Sequence, residues 1–156
     1  MLAIDIPGFG DLRLEHLVLD FNGTLAVDGK LLRGVASVLH ELSAALQIHV
    51  ITADTFGRAA EELASLPLRL VVIGNADQAD VKLAFVRGLD ASSVAAIGNG
   101  RNDWKMLEAV ALGIAVIQHE GAAQMALSHA DVLAPGILEA LELLQHPLRL
   151  TATLRA

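Results

Sequence analysis

The segment His16-Leu-Val-Leu-Asp20-Phe-Asn-Gly-Thr-Leu25 runs an apolar stretch into a carboxylate, an Asn-Gly turn and a hydroxyl. At the C-terminal end of a parallel strand Asp20 stands where open α/β folds bind ligands. There it can attack phosphorus and form an acyl phosphate. Backbone N–H groups of the turn at Asn22-Gly23 can hold an anion, with Thr24 beside them. An ordinary acidic turn has the same local sequence, so the reading depends on what shares that edge. Thr52 closes the apolar run Ile48–Thr52 and can hydrogen-bond a phosphoryl oxygen. Lys82, one of three lysines with Lys30 and Lys105, can neutralise both nucleophile and phosphate. Gly98-Asn-Gly-Arg-Asn-Asp103 follows another apolar run and opens a helix. Its carboxylate and amide oxygens are hard ligands suited to Mg²⁺. Taken singly, Lys82 reads equally as a solvated helix lysine, and Asn102 or Asp103 as a helix cap. In order, at successive strand ends, they read as one site.

The elements that must position these groups alternate along the chain. Strands are predicted over Leu2–Ile6 and Leu12–Phe21, joined across Pro7-Gly8-Phe9-Gly10. Asp28-Gly29 within Ala26–Leu32 signals a tight hairpin. Val35–Leu46 reads as a helix with Val35, Val38, Leu39, Leu42 and Leu46 on one face. Strands then alternate with helices: Ile48–Thr52, helix Thr55–Leu66, Leu68–Ile73, helix Asp80–Leu89, Val94–Ile97. Helix Asn102–Ala111 follows, with Trp104, Leu107, Val110 and Ala111 inward, then Ile114–Ile117, helix Ala122–Ala130, Val132–Leu133 and helix Ile137–Leu144. This alternation implies a mostly parallel sheet covered on both faces. One domain is expected over residues 1–156, with 1–15 as an N-terminal strand and hairpin extension and 146–156 as a C-terminal tail.

Composition narrows the classes. More than half of the residues are hydrophobic and few are aromatic, so Leu, Val, Ile and Ala must build the core. The net charge of −7 argues against nucleic acid and anionic membranes as partners. There is no cysteine, hence no disulfide or thiolate chemistry. Histidines 16, 40, 49, 119, 129 and 146 show no ligand spacing and read as surface or satisfied core residues. No secretory signal is visible, and the longest apolar run, Ala109–Ile117, falls short of the ~20 residues of a membrane helix. A cytoplasmic protein is expected.

The residues also resemble a known family. Asp20-Phe-Asn-Gly-Thr-Leu25 resembles the first motif of the haloacid dehalogenase-like superfamily, Asp-x-Asp-Gly-Thr. Ile51-Thr52-Ala53-Asp54 is similar to the second motif, Lys82 falls where the third motif's lysine is expected, and Ile97-Gly-Asn-Gly-Arg-Asn-Asp103 resembles the fourth motif in its P-type ATPase form. The nearest resemblance is to soluble P-type ATPase-like phosphatases. It implies a three-layer Rossmann-like fold, Mg²⁺, and phosphoryl transfer through an aspartyl-phosphate. Carried over by position, Asp20 is nucleophile and metal ligand, with the Asn22 carbonyl, Asn99 and Asp103 completing the metal's protein ligands. Thr52 and Lys82 hold the phosphate with Asn102, and Gly23 and Thr24 shape the turn that cradles it.

Two positions depart from the pattern. Asn22 stands where the family's phosphatases carry a carboxylate that protonates the leaving oxygen and activates water; lost acid–base catalysis costs ~10²–10⁴ in rate. Asn99 likewise replaces an acid. About thirty residues separate Asp20 from Thr52, and Thr52 from Lys82, so no cap domain fits. The site is expected to be open, covered at most by the Ala26–Leu32 hairpin; Arg58 and Arg101 are placed near its mouth or on solvated helix starts, and Trp104 near its mouth or, at this spacing, in the core. Three classes follow: an Mg²⁺-dependent phosphatase or phosphotransferase acting on an unidentified phosphorylated substrate, a catalytically weakened binding or regulatory module, and a response-regulator-like phosphoacceptor. The third is disfavoured because its metal-binding acids would follow the first strand. The apolar composition and uncovered site predict a homo-oligomer, dimer or tetramer, with the polar Pro147–Ala156 tail free to reach a neighbour.

Overall fold

The computed structural model describes residues 1–156. It opens with an antiparallel hairpin, β1 (Leu2–Ile6) and β2 (Gly10–Leu14). Ile4, Ile6, Leu12 and Leu14 turn inward, while Asp5 and Arg13 pair outside at 2.8 Å. The chain then enters the central sheet as β3 (His16–Asp20). The expectation of one strand over Leu12–Phe21 is corrected here. Glu15 breaks it, its N–H donating to Ser93 and its carbonyl accepting from Gln47. The inward positions shift from Leu12 and Leu14 to Leu17 and Leu19, so the alternation slips by one residue where the hairpin hands over to the parallel sheet.

A flap of two short strands follows, β4 (Ala26–Val27) and β5 (Lys30–Leu31), turned by Asp28 and Gly29, both at positive φ. Next come α1 (Val35–Leu42), β6 (Gln47–Thr52), α2 (Arg58–Leu63), β7 (Arg69–Val72), α3 (Gln78–Gly88), β8 (Val94–Gly98), α4 (Trp104–Ala109), β9 (Leu112–Val116), α5 (Gln124–His129), β10 (Val132–Ala134), α6 (Ile137–Gln145) and α7 (Pro147–Leu154). The six-stranded sheet runs β10-β9-β8-β3-β6-β7, and every pairing is parallel. The chain winds outward from β3 through β6 to β7, then crosses back to β8 on the other side of β3. That reversal opens a crevice at the strand C-termini between β3 and β8.

Side chains alternate across the sheet. Leu17, Leu19, Ile48, Val50 and Ile97 face a core shared with the N-terminal hairpin, α1, α2, α6 and α7. Val18, Val94, Ala96 and Ala115 face a smaller core under α3, α4 and α5. The fold is therefore three-layered, with single helices between strands and no cap domain.

Several helices are shorter than their apolar periodicity predicts. The segment before α2 bends through Gly57 at φ +71°, and a 3₁₀ turn at Arg101–Asp103 precedes α4. In α4, Met106 and Leu107 are fully buried, whereas Trp104 is half-exposed, its ring 4.6 Å from that of His129. The residues expected as a free C-terminal tail form α7 instead. Pro147 starts it, where its missing N–H is harmless. Leu150 is fully buried against the hairpin side of the core, and the Ala156 N–H donates to the Pro7 carbonyl at 2.9 Å. The tail completes its own domain, which removes it as a reason to expect oligomers. No helix is long and apolar enough to cross a membrane.

Candidate active site

The crevice gathers the side chains that the sequence places at strand ends. Asp20 closes β3 at 6% exposure. Its Oδ1 accepts from Lys82 Nζ at 2.8 Å and its Oδ2 from Thr24 Oγ1 at 3.2 Å. Lys82, on the second turn of α3, is wholly buried and also donates to Asp103 Oδ1 at 2.7 Å. Asp103 Oδ2 accepts the N–H groups of Asn99 and Gly100, at 3.1 and 2.8 Å. Glycine is required at position 98, where a Cβ would lie 2.6 Å from the Asp103 carboxyl carbon. Gly23 is equally constrained: its φ is +77°, and a Cβ there would run into the Asn99 amide.

A cavity of about 310 Å³ opens over this cluster. Of the residues predicted from sequence, Asp20, Asn22, Thr52, Lys82, Asn99 and Asn102 stand on its wall. Gly23, Thr24 and Asp103 do not; they lie behind it. Asp103, expected as a metal ligand, has one oxygen on Lys82 and the other on the Asn99-Gly100 turn in this structure. Gly23 and Thr24, expected around the phosphate, build the turn under Asp20. Asn102 donates to Gln78 at 2.7 Å, and Gln78 lines the cavity with Glu120.

Gln78, Gln118 and Glu120 escaped sequence reasoning. Gln118 stands just past β9, on the same C-terminal edge as the others, which was the available signal. Its Nε2 donates to the Gly23 and Thr24 carbonyls at 3.0 and 2.6 Å, and its Oε1 accepts from Ile137. It clamps the segment after β9 onto the turn that follows Asp20.

Two further cavities flank the site. One, of about 330 Å³, lies between the flap and residues 53–58 and shares Asn22 and Ala53 with the central cavity. Arg58 lines it and donates to the Asp28 carbonyl; Phe56 projects there at 85% exposure. Arg101 and Trp104 line a cavity on the other flank, beyond Gln78 and Asn102.

Burial pushes the Asp20 carboxyl up, and the neighbouring Asp103 charge adds to the push; Lys82 and Thr24 pull it back, leaving it at about 7. Burial alone would lower the Lys82 ammonium, but Asp20 and Asp103 together hold it above its ordinary value. The cluster is thus two carboxylates on one cation, short of positive charge.

A divalent cation fits that shortage. Asp20 Oδ2, Thr24 Oγ1 and Asn99 Oδ1 converge, the hydroxyl lying 3.2 and 3.3 Å from the other two with one hydrogen to share. Asn99 Nδ2 donates to the Gly121 carbonyl at 3.0 Å, which turns the amide oxygen toward Asp20. Hard oxygen donors of this kind suit Mg²⁺. No three His, Cys, Asp or Glu side chains converge anywhere in the chain, so carboxylates alone would not fill a cation's shell here; Asn99 Oδ1 is a further oxygen donor at hand, with water for the rest.

Comparison with known proteins gives the same picture. Residues 79–135 match the haloacid dehalogenase-like hydrolase family. The chain is 44% identical over 62 residues, 40% of its length and 67% of the relative's, to an uncharacterized protein of Methanocaldococcus jannaschii. Among solved structures it is similar to 3-deoxy-D-manno-octulosonate 8-phosphate phosphatase from Moraxella catarrhalis, in complex with magnesium, phosphate and the sugar acid. The TM-score is 0.67 and the identity 17%, covering 86% of this chain and 87% of that one. The cobalt-bound phosphatase of the same name from Haemophilus influenzae superposes with a TM-score of 0.71 at 14% identity, over 86% and 88%. These structures share its fold. With four motifs brought to one crevice and no cap domain above it, the chain belongs to the haloacid dehalogenase-like hydrolases.

Proposed function

We propose that this chain hydrolyses phosphoric esters through an aspartyl-phosphate on Asp20, assisted by a divalent cation, Mg²⁺ by preference. One observation carries the reading. A single carboxylate ends the central strand, is held by Lys82 and Thr24, and opens on a cavity lined chiefly by an ammonium, a hydroxyl and amides. Asp20 attacks phosphorus in line, and the bond to the leaving oxygen breaks. Lys82 offsets charge on the nucleophile and on the transferred group, while the Thr52 hydroxyl donates to a phosphoryl oxygen. Asp20, Asn99 and the Asn22 carbonyl would hold the cation, which when bound draws charge from the phosphoryl oxygens and keeps the Asp20 carboxyl anionic. The magnesium and phosphate bound by the Moraxella phosphatase support that assignment. The leaving group occupies the neighbouring cavity under the flap. A homo-oligomer belongs to this reading, supported by apolar Val72 and Leu133, exposed on the two edge strands; light scattering tests it.

Asn22 and Asn99 favour a second reading, a binding or regulatory module without turnover. The test is hydrolysis of p-nitrophenyl phosphate with Mg²⁺, together with trapping of a hydroxylamine-labile phosphoenzyme. Turnover and trapping that both vanish in Asp20→Asn establish the phosphatase. A protein that neither turns over nor traps phosphate is the second reading.

A further inference from the structure

Hydrolysis of an aspartyl-phosphate needs a base to take a proton from water, and the amide at position 22 cannot serve. The carboxylates near the cavity can be taken in turn. Asp20 is the group that carries the phosphoryl. Asp103 lies behind the wall, both oxygens bound to Lys82 and to the Asn99 and Gly100 N–H groups. Asp54 accepts from the N–H groups of Ala59 and Ala60, at 2.8 and 3.2 Å, and caps α2. Glu120 remains. It lines the same cavity as Asp20 and Asn22, is exposed to solvent, and takes part in no ion pair.

Its backbone is pinned over the site from both sides. On one side Gln118 bonds the carbonyls of Gly23 and Thr24, in the nucleophile turn. On the other, the Gly121 carbonyl accepts from Asn99 Nδ2, and the Ala123 N–H donates to the Asn99 carbonyl at 2.8 Å. Between these clamps the Gly121 N–H closes a tight turn on the Gln118 carbonyl, with Gly121 at φ +70°. A tight turn fastened at both ends to the two loops that flank Asp20 carries one side chain with an unused carboxylate.

We propose that Glu120 is the general base for hydrolysis of the aspartyl-phosphate. This rests on the phosphatase reading above. In the step, Glu120 takes a proton from water and the water oxygen bonds to phosphorus. The bond between phosphorus and the Asp20 oxygen breaks, leaving Asp20 as carboxylate and releasing inorganic phosphate. The proton on Glu120 passes to solvent. Glu120 is a catalytic residue that touches the attacking water; Gln118 is a positioning residue that holds its loop.

The test separates formation from decay of the phosphoenzyme in rapid-quench experiments with p-nitrophenyl phosphate and Mg²⁺, comparing wild type, Glu120→Gln, Glu120→Ala and Asn22→Asp/Glu120→Gln. In Glu120→Gln the nitrophenol burst should keep its rate within a few-fold, while decay slows by about 10²-fold or more and phosphoenzyme accumulates. Glu120→Ala should behave alike, melting temperatures should be unchanged, and Asn22→Asp should restore decay in the Glu120→Gln background. Decay at the wild-type rate in Glu120→Gln overturns the proposal. So does an equal loss in both steps, or a faster reaction, which would mark Glu120 as a group that repels the anionic substrate. A wild type that forms no phosphoenzyme and releases no nitrophenol overturns the phosphatase reading itself, and this proposal with it.

Discussion

Strands β3 and β6 carry buried polar groups at both ends, and the two ends behave differently. At the C-terminal end stand Asp20 and Thr52, joined by Lys82 from α3. At the N-terminal end stand His16 and His49, with His16 Nδ1 3.2 Å from His49 Nε2. His49 is 2% exposed and is closed off by the edge of the Phe85 ring at 5.5 Å between centroids. Burial, together with the positive charge of His16 and Arg69, pushes His49 down to about 4, so it is neutral at pH 7. The histidine end holds a neutral His49 whose ring nitrogen has a partner and whose face is sealed by an aromatic ring. The aspartate end is charged, unbalanced and open. Burial of polar groups is common to both; unused charge and hydrogen-bonding capacity facing a cavity belongs only to the second, and that is what distinguishes a site from a well-packed core.

The sharpest way to break the comparison is to remove the cation that both buried carboxylates share. Lys82→Met should abolish phosphoryl transfer and lower stability by about 3–5 kcal/mol, because two buried carboxylates lose their partner. Urea unfolding at pH 7 measures the loss, and part of it should return on adding Mg²⁺. Lys105→Met is the control. Lys105 is a half-exposed lysine paired with Asp80 at 2.6 Å, and its loss should cost at most about 1 kcal/mol.

A change of the next size concerns Asn22. A carboxylate there should raise turnover of alkyl phosphates, by up to ~10²-fold, because their leaving oxygen needs a proton. Aryl phosphates, whose leaving groups depart unprotonated, should gain less. The added charge near Asp20 adds like-charge repulsion and trims both gains. The ratio of the two rates is the readout, and equal gains would show that protonation of the leaving group is not what Asn22 withholds. Asn22-Gly23 and Asn99-Gly100 are both prone to deamidation, so peptide mass spectrometry must show both amides intact in the reference protein.

The two ends were not equally legible in the sequence. Asp20, Thr52, Lys82 and Asn99 each close or follow an apolar run, and the run's end fixes their place on one sheet edge. His16 and His49 lie near the starts of two such runs; which strands neighbour each other decides their contact, and the pattern of one strand says nothing of its neighbour. Glu120 and Gln118 were hidden for a related reason, since a loop's position depends on clamps made to residues about a hundred positions away. Asp103 lies at the expected edge, buried beneath the cavity wall rather than on it. A 3₁₀ turn at Arg101–Asp103 faces its carboxylate toward the Gly100 N–H, where a regular helix was expected. The slip at Glu15 and the helix made from the tail reflect tertiary context: each follows from how the N-terminal hairpin packs.

A smaller effect tests the cation site. Mg²⁺ should raise the melting temperature by about 5–10 °C, since a ligand at about 100 times its dissociation constant contributes about 2.7 kcal/mol. In Asn99→Leu, which keeps the shape but loses the amide oxygen, most of that gain should vanish. Equal gains in both proteins would place the cation elsewhere.

The histidine end sharpens the comparison last and least, through pH. His49 binds a proton more weakly when folded, at about 4 against 6.5 unfolded. Between those values the unfolded chain carries more protons, so stability rises with pH across that window and is lost as pH falls from about 6.5 toward 4. At 1.36 kcal/mol per unit the loss is on the order of 2–3 kcal/mol. Asp20 works in the opposite sense. Its folded value of about 7 lies above 3.8, so its share of stability grows as pH falls through the same window. In wild type the two trends oppose each other and conceal both. Asp20→Asn removes one of them, and in that background acidification from pH 7 to 4 should lower the melting temperature more steeply than in wild type. Adding His49→Gln should then flatten the slope, because the uncharged side chain has nothing to titrate. If the slope stays steep in the double variant, His49 is already protonated in the folded state or solvated, and the N-terminal end does not hold the neutral, sealed imidazole that sets it apart from the site.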